Sequence, residues 1–243
     1  MMLRNRAAGT RGSRIAIARQ RADNAPVMSS AHQTLIRRLW LVLAATVLVS
    51  VRIPSAVADT AASFIESHGF QVDVHRISSQ QLEAVLPSLG NQLAIVESVG
   101  LPPRVLAFMR TVPLVIDPTL SGNPGIYTQE RSPGVVLIQP IVFPDNKPIL
   151  LHELLHAYHL QTLPLPTPQI RDAYEEAIRT NMYPADFRSA HFLANPREYF
   201  AVIGTIFLFG RIQQPPYDCA IPAAREPQFL AFLAAQFGPH DCK

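Results

Sequence analysis

Hydrophobic and polar residues alternate with two different periods along this chain, and each period predicts one kind of element. Apolar residues recur every three to four positions in several segments, which is the spacing of an amphipathic helix. This spacing predicts helices over residues 61–68, 79–86, 105–110, 148–160, 170–182, 196–209 and 228–237. Short apolar or alternating runs between Gly- and Pro-rich turns predict strands over residues 71–77, 112–117, 125–129 and 134–139. A small sheet followed by helices predicts an α+β fold.

The first 58 residues differ in character from the rest of the chain. Arg37 and Arg38 precede an apolar run over residues 39–51, and a small-residue motif that ends at Ala58 follows it. This order is typical of a secretory signal peptide, and the run is shorter than the ~20 apolar residues of a membrane-spanning helix. We therefore expect residues 1–58 to be an export leader that starts at Met28 and is cleaved after Ala58. Residues 59–243 would then be a single exported domain, periplasmic or secreted, with no stable membrane span.

The charge of the chain is divided unevenly between these two parts. The formal net charge of the whole chain is +3, but nine of its 21 basic residues and only one of its 18 acidic residues precede residue 59. The remaining 12 basic and 17 acidic residues give the exported domain a net charge of −5. An acidic domain of this kind does not predict nucleic-acid binding, which depends on basic surfaces that contact phosphates.

The two cysteines, Cys219 and Cys242, both lie in the C-terminal segment. In the oxidising compartment that export implies, the pair predicts a disulfide that closes this segment. Two unpaired thiols remain the alternative. A zinc site is the poorest interpretation, because the pair lacks neighbouring ligands at the usual spacing.

The strongest chemical signal is the HExxH motif in the predicted helix 148–160. His152 and His156 are four residues apart, so a helix places both imidazoles on one face, as two ligands of a tetrahedral zinc ion require. Glu153 projects beside that face, where it can take a proton from metal-bound water. The sequence therefore predicts a zinc site with His152 and His156 as ligands and Glu153 as the general base.

A catalytic zinc site needs a third protein ligand, and several residues are candidates. His159 shares the helix face but lies about 10 Å along the axis from His152, which is too far to join both histidines on one ion. Glu175 and Glu176 follow His156 at a spacing that is similar to that of aminopeptidase and thermolysin gluzincins. Their surroundings lack the Asn-Glu context of those families, and an acidic pair on a helix is usually a solvated face.

The third candidate is Glu198, in the segment Asn195-Pro196-Arg197-Glu198-Tyr199-Phe200-Ala201. HELLH followed about 40 residues later by Asn-x-x-Glu-Tyr-Phe-Ala resembles the secreted gluzincin zinc metallopeptidases related to anthrax lethal factor. The resemblance covers residues 148–209 and implies a zincin-like fold, with His152, His156 and Glu198 as zinc ligands and Glu153 as the base. Asn195 and Glu198 also match a capping box, so a purely structural role for Glu198 stays open.

Two positions depart from the pattern of that family. His191 stands where the family has a tyrosine that is thought to stabilise the oxyanion, and an imidazole can donate the same hydrogen bond. Tyr183 is the alternative donor, and a surface role for His191 is the other alternative. Val202 stands where the family commonly has an acid, so a ligand imidazole could lack its orienting carboxylate unless Asp172 or Glu175 supplies one.

These residues together predict a zinc-dependent metalloendopeptidase that hydrolyses peptide bonds. Its substrates would be proteins or peptides, by resemblance alone. The alternatives are a zinc-binding protein that has lost turnover and acts by binding a partner, and a structural domain in which HELLH is accidental.

Overall fold

The computed structural model of the chain describes residues 63–130 and 133–241. Within these residues lie five strands: β1 (Phe64–Ser67), β2 (Phe70–Asp73), β3 (Leu114–Ile116), β4 (Gly125–Thr128) and β5 (Val135–Ile138). The same residues form seven α-helices: α1 (Ser79–Ser98), α2 (Pro103–Thr111), α3 (Ile149–Thr162), α4 (Pro168–Arg179), α5 (Pro196–Phe209), α6 (Ala220–Arg225) and α7 (Pro227–Phe237). Short 3-10 turns at Ala185–Phe187 and His191–Leu193 connect α4 to α5. The predicted α+β fold is confirmed. The predicted leader, Met28 start and Ala58 cleavage site lie outside the described residues.

The five strands form one mixed sheet in the order β1-β2-β3-β5-β4. The central pairs β2–β3 and β3–β5 are parallel, whereas β1 and β4 pair antiparallel to their neighbours. Within the described residues β4 pairs only with β5, with Gly125 opposite Ile138 and Thr128 opposite Val135. Its other edge carries the Tyr127 amide, which donates to the side chain of Glu153 rather than to a strand.

The helix predicted over residues 61–68 is wrong, because Phe64–Ser67 forms a strand that pairs with β2. His68 and Gly69 join the two strands and both have positive φ, 53° and 74°. Two such residues in sequence form the tight turn that suits the twist of a β-hairpin. A Cβ on Gly69 would also lie 2.8 Å from Nε of Arg110, so a larger residue there would require the Arg110 side chain to shift.

Helix α1 begins as predicted but runs past its predicted end at residue 86. Ser78 and Gln81 form a reciprocal capping box at its start: the Ser78 side chain accepts a bond from the Gln81 amide, and the Gln81 side chain accepts one from the Ser78 amide. Pro87 lies inside the helix and lacks the amide hydrogen of a normal helical residue. The helix continues because Leu89, Leu93 and Val96 beyond the proline are buried in the core.

Helix α3 lies at the centre of the core, and every residue from Ile149 to His159 is buried. Pro148 at its start has no side chain that can cap the helix. Gln92 of α1 does this instead, since its amide oxygen accepts a bond from the Leu150 amide at 3.1 Å and its NH2 group donates to the Lys147 carbonyl at 3.1 Å. α3 packs on α5, α1, α2 and strands β4 and β5.

Strand β2 ends at Asp73, four residues before its predicted end at residue 77. The remaining predicted elements appear in the predicted order with shifts of at most three residues at their ends. Helix α6 was not predicted, because its six residues contain Pro222 and show no clear apolar period. No helix in the described part of the chain is both long and apolar enough to cross a membrane.

Candidate metal centre

The two histidines of the HExxH motif face each other on α3. Their Nε2 atoms lie 3.1 Å apart, and their rings meet edge to face with centroids separated by 4.7 Å. Both residues are 8% exposed. The one-turn spacing of the sequence thus brings the two nitrogens to one point at the surface of a cavity.

Glu198 reaches the same point from α5. Its Oε2 atom lies 3.3 Å from Nε2 of His152 and 3.3 Å from Nε2 of His156. Asn195 caps the helix by accepting bonds from the amides of Arg197 and Glu198. Because Asn195 accepts the hydrogen bonds of these two amides, the Glu198 carboxylate is not used as a helix cap and points across to α3.

The spacing of these three donor atoms suits a tetrahedral metal ion. Zinc bonds of about 2.0–2.1 Å at tetrahedral angles separate ligand atoms by about 3.4 Å, close to the distances observed. Oε2 of Glu198 is buried and lies 3.3 Å from the Nε2 atoms of His152 and His156 and 2.8 Å from that of His191. A cation between the donors would balance this buried carboxylate and bind the imidazole nitrogens that face it. The residues present therefore fit zinc.

The electrostatics of Glu198 follow from the same arrangement. Burial by itself would raise the pKa of its carboxyl group, but the neighbouring imidazoles of His152, His156 and His191 outweigh burial and lower the pKa well below its ordinary value. Glu198 is consequently a carboxylate at neutral pH. An ionised carboxylate beside two imidazoles is a donor set that zinc commonly takes.

Glu153 lines the cavity beside these donors and is held by the edge strand. Its Oε2 accepts a hydrogen bond of 2.8 Å from the amide of Tyr127 on β4. Gly125 allows this approach, because a Cβ there would lie 2.7 Å from Cγ2 of Ile149 and 3.1 Å from Cγ of Glu153. The strand thus fixes the carboxylate next to the donor cluster.

His191 begins the 3-10 turn before α5 and stands at the mouth of the site. Its Nε2 lies 2.8 Å from Oε2 of Glu198, and its ring centroid lies 6.1 Å from that of His152. The hydrogen bond to Glu198 raises the pKa of His191. The side chain is 62% exposed. This position suits either a proton donor on the open side of the site or a fourth nitrogen near the metal.

The other candidates from the sequence lie elsewhere. Tyr183, the alternative oxyanion donor, is not among the residues that line the cavity. Its hydroxyl instead donates to the carboxylate of Glu226 at 3.0 Å and lies 3.1 Å from the hydroxyl of Tyr199. Glu175 and Glu176 are exposed on α4, where Arg171 and Arg179 are their nearest cations, so neither replaces Glu198. They face solvent because the buried side of α4 carries Ile170 and Ala177.

Neither Asp172 nor Glu175 supplies the orienting carboxylate that the sequence lacks at Val202. Val202 is fully buried in the core, and Asp172 is exposed and bonded to Arg171. Glu175 faces solvent as well. Nδ1 of His152 accordingly remains without a partner in the described residues.

His159, the histidine excluded on distance, is 4% exposed and packs against Phe200 with ring centroids 5.1 Å apart. Burial, with smaller effects of His156 and Arg197, lowers its pKa to about 4. It is neutral at pH 7 and lies on the wall of the cavity rather than in the donor cluster.

Sequence reasoning missed a second buried polar cluster behind the site. Glu226 is 6% exposed, and its two carboxylate oxygens accept bonds from the hydroxyls of Tyr183 and Tyr199. Burial raises the pKa of Glu226, an effect that the tyrosine bonds partly offset. The cluster ties the start of α7 to α5 next to Glu198. No local signal marks it, because its members are far apart in the sequence.

A cavity of about 850 Å³ opens in front of the donor cluster. One wall is the segment from Asn123 to Tyr127, which includes the edge strand β4, and the other is formed by the starts of α4 and α5. Such a volume accommodates several residues of an extended peptide.

The predicted disulfide stays a prediction. Cys219 is buried, and Cys242 lies outside the described residues.

Comparison of the chain with models of protein families, with curated proteins and with solved structures finds no significant match. The resemblance to gluzincins therefore rests on the motif residues themselves.

Proposed function

We propose that this protein is an exported zinc-dependent metallopeptidase of the gluzincin type, with a zincin-like fold and with peptides or proteins as substrates. One observation carries the proposal: donor atoms of His152, His156 and Glu198 converge within 3.1–3.3 Å from two helices. Their separation matches the edges of a tetrahedral zinc site. The proposal includes no nucleic-acid partner.

In this proposal His152, His156 and Glu198 hold the zinc ion. Zinc, when bound, supplies a Lewis acid that activates water and polarises a carbonyl group. Glu153 accepts the proton of the attacking water and returns it to the departing amine. Its bond to the Tyr127 amide keeps it oriented for this transfer. The His191 imidazole donates a hydrogen bond to the developing oxyanion.

The outer edge of β4 supports a peptide as the substrate through its backbone groups other than the Tyr127 amide, which already donates to Glu153. An extended peptide can add to an exposed strand through main-chain hydrogen bonds, independently of its side chains. β4 lines the cavity beside Glu153, so a peptide placed there would bring a carbonyl group near the general base.

Zinc stoichiometry by elemental analysis tests the site. We expect one zinc per wild-type chain, much weaker binding by Glu198→Ala, and unchanged binding by the matched control Glu175→Ala, whose carboxylate is exposed on α4. Loss of zinc from Glu175→Ala but not from Glu198→Ala would move the site to α4. No zinc after reconstitution of the wild type would make HELLH accidental.

A second candidate function is a zinc-binding protein without turnover that acts by binding a partner. The unpartnered Nδ1 of His152 and the buried Val202 favour it, because a ligand imidazole without an orienting carboxylate binds metal less firmly. Glu153→Gln separates the two functions. If the protein is a peptidase, this variant keeps its zinc and loses cleavage of a peptide library. If the wild type cleaves no peptide, the second function is favoured.

A further inference from the structure

The charges that line the cavity are not balanced. Glu153 and Glu198 are the acidic side chains of its described wall, and a bound divalent cation would match both. Two arginines, Arg171 and Arg197, also line it. The imidazole of His159 on the same wall is neutral at pH 7 because it is buried. His191 also lines the cavity, but its Nε2 faces Oε2 of Glu198 at 2.8 Å. The two arginines are therefore the remaining cations of the described lining that a ligand can meet.

The two arginines have different surroundings. Arg171 donates two hydrogen bonds to Oδ1 of Asp172, at 2.9 and 2.7 Å, and its Nε lies 4.0 Å from Glu175. Its charge is thus already paired. The guanidinium of Arg197 makes no ion pair or hydrogen bond with the residues that the structure describes. Of the two arginines in the described lining, Arg197 is therefore the one without a counter-ion.

The position of Arg197 is unfavourable for the helix that carries it. It is the second residue of α5, where the positive end of the helix dipole opposes a cation. Helix stability therefore does not account for an arginine here. Its place between Pro196 and Glu198 instead brings a guanidinium to the cavity wall next to the proposed zinc ligand. A guanidinium presents a planar fork that binds carboxylates through two hydrogen bonds.

We infer that Arg197 is a specificity-determining residue and that the cavity prefers peptides with a carboxylate close to the bond that is cut. The carboxylate belongs either to an Asp or Glu side chain or to the C-terminus of the peptide. This inference rests on the proposed peptidase function.

Binding of three matched probes tests the inference. The probes are acetylated hexapeptide pools with a neutral fluorophore and neutral residues at the random positions. The first pool contains one Glu and ends in an amide, the second has Gln in place of Glu, and the third is the Gln pool with a free C-terminus. Fluorescence anisotropy is measured on the zinc-loaded full chain with Glu153→Gln, which prevents turnover.

We expect one of the two carboxylate pools to bind about fivefold more tightly than the neutral pool, the range of a partly exposed charged pair. Arg197→Gln should reduce this ratio to about one, and Arg197→Glu should invert it. Arg197→Lys keeps the charge and should retain part of the preference. The control Arg171→Gln should keep the wild-type ratio. The pool that responds identifies the source of the carboxylate.

Equal affinity for all three pools, or an unchanged preference in Arg197→Gln, would overturn the inference. If no pool binds although one zinc is present, the peptidase function fails and the inference fails with it. If the zinc-loaded protein with Glu153 intact does not cut the pools, but the carboxylate pool binds more tightly and this preference depends on Arg197, the peptidase function is refuted and only the carboxylate preference of the cavity stands. Circular dichroism of each variant distinguishes misfolding from loss of binding. If Arg197→Gln does not fold, the ratio of the affinities for the carboxylate and neutral pools is compared between wild type and Arg197→Lys instead.

Discussion

Replacing Gly125 by Ala should displace helix α3 from the edge strand β4. The added Cβ would lie 2.7 Å from Cγ2 of Ile149 and 3.1 Å from Cγ of Glu153. Carbon atoms prefer about 3.5–4.0 Å, so the helix and strand must separate by up to about 1 Å. Overpacking of this kind costs about 1–3 kcal/mol in the free energy of unfolding. If the protein is the proposed peptidase, a displacement of about 1 Å at Glu153 would also lower its rate of peptide cleavage by about 100-fold.

Urea unfolding of wild type and variant measures the stability loss, and Gly90→Ala is the matched control. Gly90 lies within α1 and has no other side chain within 4 Å of an added Cβ. Alanine there should stabilise the helix by about 0.5–1 kcal/mol. The two glycine variants therefore change stability in opposite directions.

A double-mutant cycle with Ile149→Ala identifies the contact responsible. Ile149→Ala removes the Cγ2 atom that the new Cβ would meet, so the cost of Gly125→Ala should fall below about 1 kcal/mol in that background. Equal costs in both backgrounds would refute the steric argument. Wild-type stability of Gly125→Ala would refute the close packing of α3 on β4 itself.

Three further predictions concern the buried ionisable groups and the metal. Glu226→Ala should lower the free energy of unfolding by about 2–5 kcal/mol, because the hydroxyls of Tyr183 and Tyr199 lose their shared buried acceptor. If Glu226→Ala cost as much in a background with both tyrosines changed to Phe, this reason would be contradicted. Because the pKa of His159 falls from 6.5 to about 4 on folding, the unfolded chain binds the extra proton between these pH values, so stability should fall as pH falls across this window. The loss should reach up to about 3 kcal/mol, and urea unfolding at several pH values should show it in wild type but not in His159→Phe. Zinc at 100 times its dissociation constant should raise the free energy of unfolding by about 2.7 kcal/mol, and a chelator should reverse the effect; a melting temperature insensitive to zinc would argue against the site.

Local sequence patterns were enough to predict the elements that carry the site. Helices α3 and α5 appear where the apolar spacing, Pro148 and the Asn195-Pro196 start place them. The hairpin strand β1 was mistaken for a helix, because a run of eight residues before Gly69 has too few turns for its period to be decisive. The end of α1 was placed too early, because Pro87 stops a helix unless burial beyond it compensates.

The sequence by itself determined that His152 and His156 meet, since four residues of helix bring two side chains to one face whatever surrounds them. Only the tertiary structure decided which carboxylate joins them. Glu175 and Glu198 both lie on predicted helices, but α4 turns its acidic face to solvent while the start of α5 turns Glu198 toward α3. The tertiary structure also decided two other contacts. The Tyr127 amide donates to Glu153, and the Tyr183 hydroxyl donates to Glu226 instead of lining the cavity. Spacing along a helix is a property of the local backbone, whereas contacts between distant segments depend on how the whole core packs.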